Sequence, residues 1–263
     1  MMKNRTLFEL LKFQPDTFAN NTLLLGHLES LATIDDDALQ KRFLKELIRN
    51  YVALEKQLDS LLKNTLPTSV AEELKTNNSF PPRAYTCTIL FTDFIGFTKL
   101  SEIISRSSMV NKLNTIFTEF DIQVDYFKGT KIKTIGDAYM AVFGAPVKYD
   151  DHAVRAVRAA LTIVQYMQRF NLDAKHPFHM RVGIHTGRVM AGVVGRERMQ
   201  FDVFGDDVNI ASRFESASIK NKINVSETTY KLTKDYFDFE KRGAIQLKNK
   251  ADMKAYFVLG EKS

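Results

Sequence analysis

The sequence predicts an α+β sandwich, a sheet with helices packed on it, preceded by a helical segment. Three observations carry that prediction. Beyond residue 83 the apolar pattern runs strand, helix, two strands, helix, strand, with further short strands appended. Nine of the twelve glycines lie between Gly96 and Gly205, so sharp backbone turns are concentrated in this later part. Before it, Leu44, Leu47, Tyr51, Leu54, Leu58 and Leu61 recur at alternating spacings of three and four, a helical rhythm.

Taken in order, residues 1–43 read as helical pieces of unknown role. Leu7, Leu10 and Leu11 form one apolar patch and Leu24, Leu28, Leu31 and Ala32 another, interrupted by Pro15 and Asn20-Asn21. Residues 44–82 form a connector. Their short heptad seam suits either a parallel two-chain coil or an amphipathic helix packed on its own domain. The helix ends near Leu66-Pro67, because proline disfavours helix at the residue before it. Residues 68–75 can form another short helix, and Asn77 to Pro82 read as a linker.

Residues 83–263 form the sheet domain. Tyr85–Thr92 is a strand that runs into Asp93-Phe94-Ile95-Gly96-Phe97-Thr98. A long helix follows, its core stripe being Val110, Leu113, Phe117, Phe120, Val124 and Phe127, and Gly129 ends it. Lys131 to Gly144 is a β-hairpin turning at Gly136-Asp137. Asp150 or Asp151 caps a helix with Val154, Val157, Leu161, Val164 and Met167 on one face. A strand at Met180–Ile184, a turn at Thr186-Gly187, and strands at Val189–Val194 and Gln200–Phe204 precede a helix containing Val208 to Arg213. Short strands at Asn224–Ser226, Ala244–Leu247 and Ala255–Leu259 complete the sheet, with helices expected on one face.

Composition narrows the function classes. The chain has 263 residues, 44% of them apolar, so it can bury a substantial core. It holds no apolar run of about 18 residues, so no membrane span is expected. Its single cysteine, Cys87, makes no intrachain disulfide and suits a reducing compartment, hence a cytoplasmic location. Residues 1–80 are near neutral, with 10 basic and 11 acidic side chains, whereas the remainder carries 27 and 20. That excess suits a polyphosphate ligand, but no dense basic run is interleaved with aromatics, so nucleic acid is not expected. His176 and His179 stand as H-x-x-H beside Pro177, without the remaining ligands of a zinc site.

The candidate chemistry lies at turns. Asp93 ends an apolar strand before a glycine-containing turn. It can cap the next helix, or hold a cation while the N–H groups of Ile95, Gly96, Phe97 and Thr98 face an anion. Asp137 sits in the hairpin turn, and two carboxylates on adjacent strand ends can converge, as oxygen-seeking magnesium prefers. Asn209 and Arg213 are four apart on one helix face, where an amide and a guanidinium can hold a sugar oxygen and a phosphate oxygen together.

The stretches FTDFIGFT (91–98), KIKTIGDAYMAVFGAP (131–146), RVGIHTGRVMAGVVG (181–195) and FDVFGDDVNIASRFES (201–216) together resemble the class III nucleotidyl cyclase catalytic domain. The resemblance covers about Tyr85 to Leu259. It implies a ferredoxin-like, mostly antiparallel sheet and a homodimer with active sites at the interface. It implies two Mg2+ or Mn2+ per site on Asp93 and Asp137. By the same resemblance Arg213 stabilises transition-state charge, Asn209 orients the ribose, and Lys248 or its neighbour Lys250 reaches the terminal phosphates. Lys133 and Asp202, followed by Val203, match the base-reading pair of adenylate cyclases, where guanylate members carry glutamate and usually cysteine. The expected function is therefore conversion of ATP to 3′,5′-cyclic AMP and pyrophosphate. A guanylate or dual-specificity cyclase is the alternative within the enzyme class, and a catalytically silent nucleotide-binding module or a coiled-coil scaffold lies outside it.

Overall fold

A computed structural model of the chain describes residues 37–246 and 252–262. The helical pieces expected before residue 37, and Leu247, Lys248 and Lys250, lie outside the described residues. The chain divides into two compact units between Asn64 and Thr65. The first contains helix α1 (Asp37–Thr65), which carries the seam read from the sequence. Along it Ile48, Val52, Leu54, Leu58 and Leu61 are exposed.

The second unit opens with α2 (Thr68–Asn77), which buries Val70 and Ala71 completely. Its Glu73 carboxylate pairs with both terminal nitrogens of Arg83, the first residue of β1 (Arg83–Phe94). Phe80, in the linker between them, meets the ring of Phe201 edge-on at 5.9 Å. Then come α3 (Phe97–Ile103), α4 (Arg106–Tyr126), β2 (Thr130–Ile135), β3 (Ala138–Phe143), α5 (His152–Phe170), β4 (Met180–Val194) and β5 (Gln200–Phe204). The chain ends through α6 (Asp206–Ser216), β6 (Ile223–Ser226), α7 (Glu227–Thr233), β7 (Phe237–Ile245) and β8 (Met253–Glu261).

The sheet has eight strands in the order β2-β3-β1-β4-β6-β8-β7, with β5 paired to β4. Every pairing is antiparallel except β4 with β6. The longest strands, β1 and β4, pair in unbroken register from Arg83 opposite Ala191 to Phe94 opposite Met180. Alternation then divides β4 between two faces. Val182 and Ile184 join Ile116, Phe120, Val157 and Ile163 of α4 and α5 in the main core. Gly183 faces α6, so close that any Cβ there would overlap the Glu215 backbone. Helices thus lie on both faces of the sheet, not on one as the sequence order suggested.

Four further expectations are corrected. Met180–Val194 is one strand without a turn at Thr186-Gly187, because both residues stay paired, opposite Thr88 and Cys87 of β1. The long helix after Thr98 is two helices, because Ser105 leaves helical geometry and its hydroxyl accepts from the Ser108 N–H to cap α4. Val110 is consequently 64% exposed rather than core, and Met109 and Ile116 are buried in its stead. Asp151 precedes α5 but makes no cap bond; its carboxylate goes to Arg155 at 2.6 Å.

Candidate functional site

Two clusters form at the ends of the central strands. The first is built on β1, the β2–β3 turn and β4. Asp93 is the penultimate residue of β1, and Asp137 sits in the tight turn where Gly136 adopts φ +64°. Because β1 and β3 pair through Thr92 opposite Tyr139, the two carboxyls end up side by side. Burial pushes the Asp137 carboxyl above the usual carboxylate range, and the neighbouring Asp93 charge pushes it further. A site that raises a carboxyl by crowding it against another is one a cation would relieve, so these residues fit a divalent ion. Among the described residues no group of three or more His, Cys, Asp or Glu could hold a metal by itself.

Arg181 completes this cluster. It stands directly opposite Asp93 in the β1–β4 register. Its Nη2 donates to Asp93 Oδ2 at 2.8 Å, and its Nε lies 3.0 Å from Glu215 Oε1. Glu215, 6% exposed on α6, is raised by burial, while Arg181 pulls it down. Of the N–H groups expected to face an anion, that of Ile95 is already taken by the His179 carbonyl at 2.7 Å. Gly96, with φ +70°, precedes α3, and the N–H groups of Phe97 and Thr98 open that helix without helical acceptors.

The second set of candidate residues lies on β2, β5 and α6, and a direct contact joins its β2 and β5 members. Lys133 Nζ donates to Asp202 Oδ2 at 2.5 Å, although the two residues are 69 apart in sequence. The other oxygen, Oδ1, accepts from the Val203 N–H at 2.8 Å, fixing the carboxylate plane. Asp202 is buried and Lys133 half-buried, so their charges are weakly screened by water. On α6, Asn209 is exposed, and Arg213 holds a buried Nη1 with no partner, a donor ready for an anion. Lys248 and Lys250 lie outside the described residues.

Sequence reasoning missed Arg181 and Glu215. Arg181 opens the RVGIHTG stretch, but its place opposite Asp93 depends on the strand register. Glu215 lies two residues beyond Arg213 on the same helix, about 200° around the axis, and so points to the other cluster.

Comparison with known proteins fits this geometry. Residues 81–260 match the adenylate and guanylate cyclase catalytic domain. The receptor-type guanylate cyclase gcy-28 of Caenorhabditis elegans is 37% identical over 225 residues, covering 83% of this chain and 18% of that protein. This chain therefore spans only a small part of that receptor. Among solved structures, the guanylate cyclase domain of RhGC from Catenaria anguillulae in complex with GTP is 35% identical with a TM-score of 0.66, covering 68% of this chain and all of that one (100%). The adenylyl cyclase CyaB from P. aeruginosa is 31% identical with a TM-score of 0.66, covering 70% of this chain and 98% of that one.

Proposed function

This chain belongs to the adenylate and guanylate cyclase catalytic domain family, and from that premise we propose that it converts ATP to 3′,5′-cyclic AMP and pyrophosphate. The observation that carries the choice of base is the contact of Lys133 with Asp202. An ammonium donates to adenine N1, an acceptor, and a carboxylate accepts from the 6-amino group. Guanine presents the reverse, a hydrogen on N1 and a carbonyl at position 6. A pair held in one orientation leaves buried polar groups unmatched with the wrong base, and that mismatch discriminates strongly.

Asp93 and Asp137 would hold two Mg2+ or Mn2+, which when bound supply the positive charge that activates a ribose 3′-hydroxyl and holds a triphosphate. The chain's own side chains bind and orient. Asn209 positions the ribose. The unpartnered Nη1 of Arg213 meets charge building on the α-phosphate as the 3′-oxygen bonds to phosphorus and the bond to pyrophosphate breaks. Before nucleotide arrives, Arg181 neutralises Asp93 and is itself steadied by Glu215.

Glu215, tied to the Asp93 cluster through Arg181, and Arg213 point from opposite sides of α6, which supports a site completed by a second copy. One chain supplies Asp93 and Asp137; the other supplies Lys133, Asp202, Asn209 and Arg213. In the chain alone, the seam on α1 offers a surface for pairing two copies, and residues 66–75 connect that seam to the sheet. No described helix is long and apolar enough to cross a membrane.

A second reading, a guanylate or dual-specificity cyclase, is favoured by the similarity to proteins named guanylate cyclases. Turnover of ATP and GTP in competition, each with Mg2+ or Mn2+, separates the two. Cyclic AMP as the main product supports our reading. Cyclic GMP as the main product overturns it, and no product with any combination overturns the enzyme reading altogether.

A further inference from the structure

Helix α6 carries Asn209 and Arg213, yet it starts without a side-chain cap, its N-cap being Gly205. Its anchorage comes instead from β4 beneath it. Asp207, in the first turn, directs neither oxygen to its own helix: Oδ2 accepts from the Arg188 backbone N–H at 2.7 Å, and Oδ1 accepts from His185 Nε2 at 3.0 Å. The same imidazole lies parallel to the ring of Phe214, in the last turn, at 6.1 Å and 7°. One side chain therefore touches both ends of the helix.

The β4 sequence makes this possible. Gly183, His185 and Gly187 alternate on the face below α6. A Cβ at Gly183 would overlap the Glu215 backbone, and one at Gly187 would overlap the Asp207 carboxyl. The two glycines let the helix lie close, and His185 between them fills the gap at 3% exposure.

The orientation of the ring is set by a line of hydroxyls. Burial holds the His185 imidazole below its ordinary value, so it is neutral near pH 7 and carries one ring proton. Asp207 only accepts, which puts that proton on Nε2, and Nδ1 then accepts from Ser226 Oγ at 2.7 Å. Each hydroxyl has one proton to give. Ser226 has spent its own, so Thr229 donates to Ser226 at 3.2 Å, Thr186 to Thr229 at 3.0 Å, and Thr88 to Thr186 at 2.8 Å. The last member, His152, donates from Nδ1 to Thr88 at 2.8 Å. All six bonds run in one sense from His152 to Asp207.

We propose that His185 is a positioning residue: it holds α6, through Asp207 and Phe214, in the placement from which Asn209 and Arg213 reach the substrate. The proposal rests on the reading of those two residues as nucleotide-binding and charge-stabilising groups. His185 touches no substrate. It acts by fixing the helix, and the hydroxyl line fixes His185.

The test compares His185→Phe, which keeps the stacked ring but loses the donor, with His185→Gln, which returns an N–H near the Nε2 position. A bond to a charged acceptor is worth about a 10- to 100-fold change in rate. His185→Phe should lower kcat by that factor with KM changed less than about threefold, and His185→Gln should recover most of the loss. Adding Asp207→Asn to His185→Phe should cost little more, because both break one link. Two readouts stand apart from activity. Nitrogen NMR of the wild-type chain should show His185 protonated on Nε2 and bare on Nδ1. Hydrogen exchange of the α6 amides should quicken in Asp207→Asn while α4 is unchanged. The proposal fails if His185→Phe keeps kcat within twofold, if glutamine rescues no better than phenylalanine, if Nδ1 carries the proton, or if α6 exchange is unaltered. A wild-type chain inactive on every nucleotide would sink the cyclase reading, and the NMR and exchange readouts would still decide whether His185 holds the helix.

Discussion

Replacing Lys133 with glutamate tests the proposed base-reading pair most directly, because its cost can be worked from the contact. Lys133 and Asp202 expose 33% and 11% of their side chains. Removing one partner of a fully buried pair costs roughly 3–5 kcal/mol, and of a surface pair below about 1 kcal/mol. One-third exposure of the lysine places this pair between, at about 2 kcal/mol. For a domain of this size that lowers Tm by about 4–8 °C. The Val203 N–H still holds Asp202 in place, so the new glutamate faces a fixed carboxylate and repels it. Adding Asp202→Cys removes that repulsion. The double variant should therefore melt above Lys133→Glu alone, and its ATP:GTP ratio of kcat/KM should fall by at least about tenfold, the size of one well-placed polar mismatch. Thermal melts without nucleotide and competitive turnover measure the two effects separately. Additive losses of Tm together with an unchanged ratio would refute both the pairing energetics and the assignment of the base.

Mixing Asp93→Ala chains with Asn209→Ala chains, each inactive alone, should restore activity through the one intact site of the mixed dimer; no recovery after confirmed subunit exchange refutes the shared site. Gly183→Ala should abolish soluble expression or cost several kcal/mol, because its Cβ meets backbone of α6 and not a movable side-chain tip; a chain that melts within 2 °C of wild type on about 0.5 kcal/mol would contradict the tight crossing. Acid should weaken the fold through His152 and His185. Burial lowers both, so the unfolded chain takes up their protons first, and stability falls as pH drops from about 6.5 towards their lower folded values. Urea titrations between pH 7.5 and 5.5 should show this slope in the wild type and a shallower one in His152→Gln; identical slopes would exclude His152 from it.

Much of this was legible in the sequence because the motifs sit at turns. Asp93 and Asp137 lie where a strand and a hairpin must end, and Lys133 and Asp202 lie within stretches long enough to recognise. What stayed hidden depends on relationships between segments. Arg181 faces Asp93 only because β1 and β4 pair in that register, and a one-residue shift would turn it away. Helix α7 escaped because Thr229 and Thr233, completely buried, look like surface residues until their hydroxyl partners are known. The strand expected at Ala244–Leu247 met only the last two residues of β7; the rest escaped because Asp238, Glu240, Lys241 and Arg242 charge an edge strand that borders solvent on one side. Val110 was misplaced because Ser105 restarts the helix and rotates the buried stripe.

Strand β1 has Arg83, tied to α2, at one end and Asp93 next to the other, ten residues and about 33 Å apart. Between them it is zipped to β3 on one side and β4 on the other. Such a strand cannot serve as a piston. A partial slide breaks both ladders, and a full step of about 3.3 Å turns Asp93 to the opposite face. Its geometry is that of a strut: a push delivered by α2 at Arg83 would reach the carboxylate end only by tilting the whole sheet. Since the proposed site is divided between two copies, a tilt of one sheet against the other changes the gap between the halves while leaving each half intact. Control by the N-terminal segment would then be a matter of aim, with the chemistry of each half always ready.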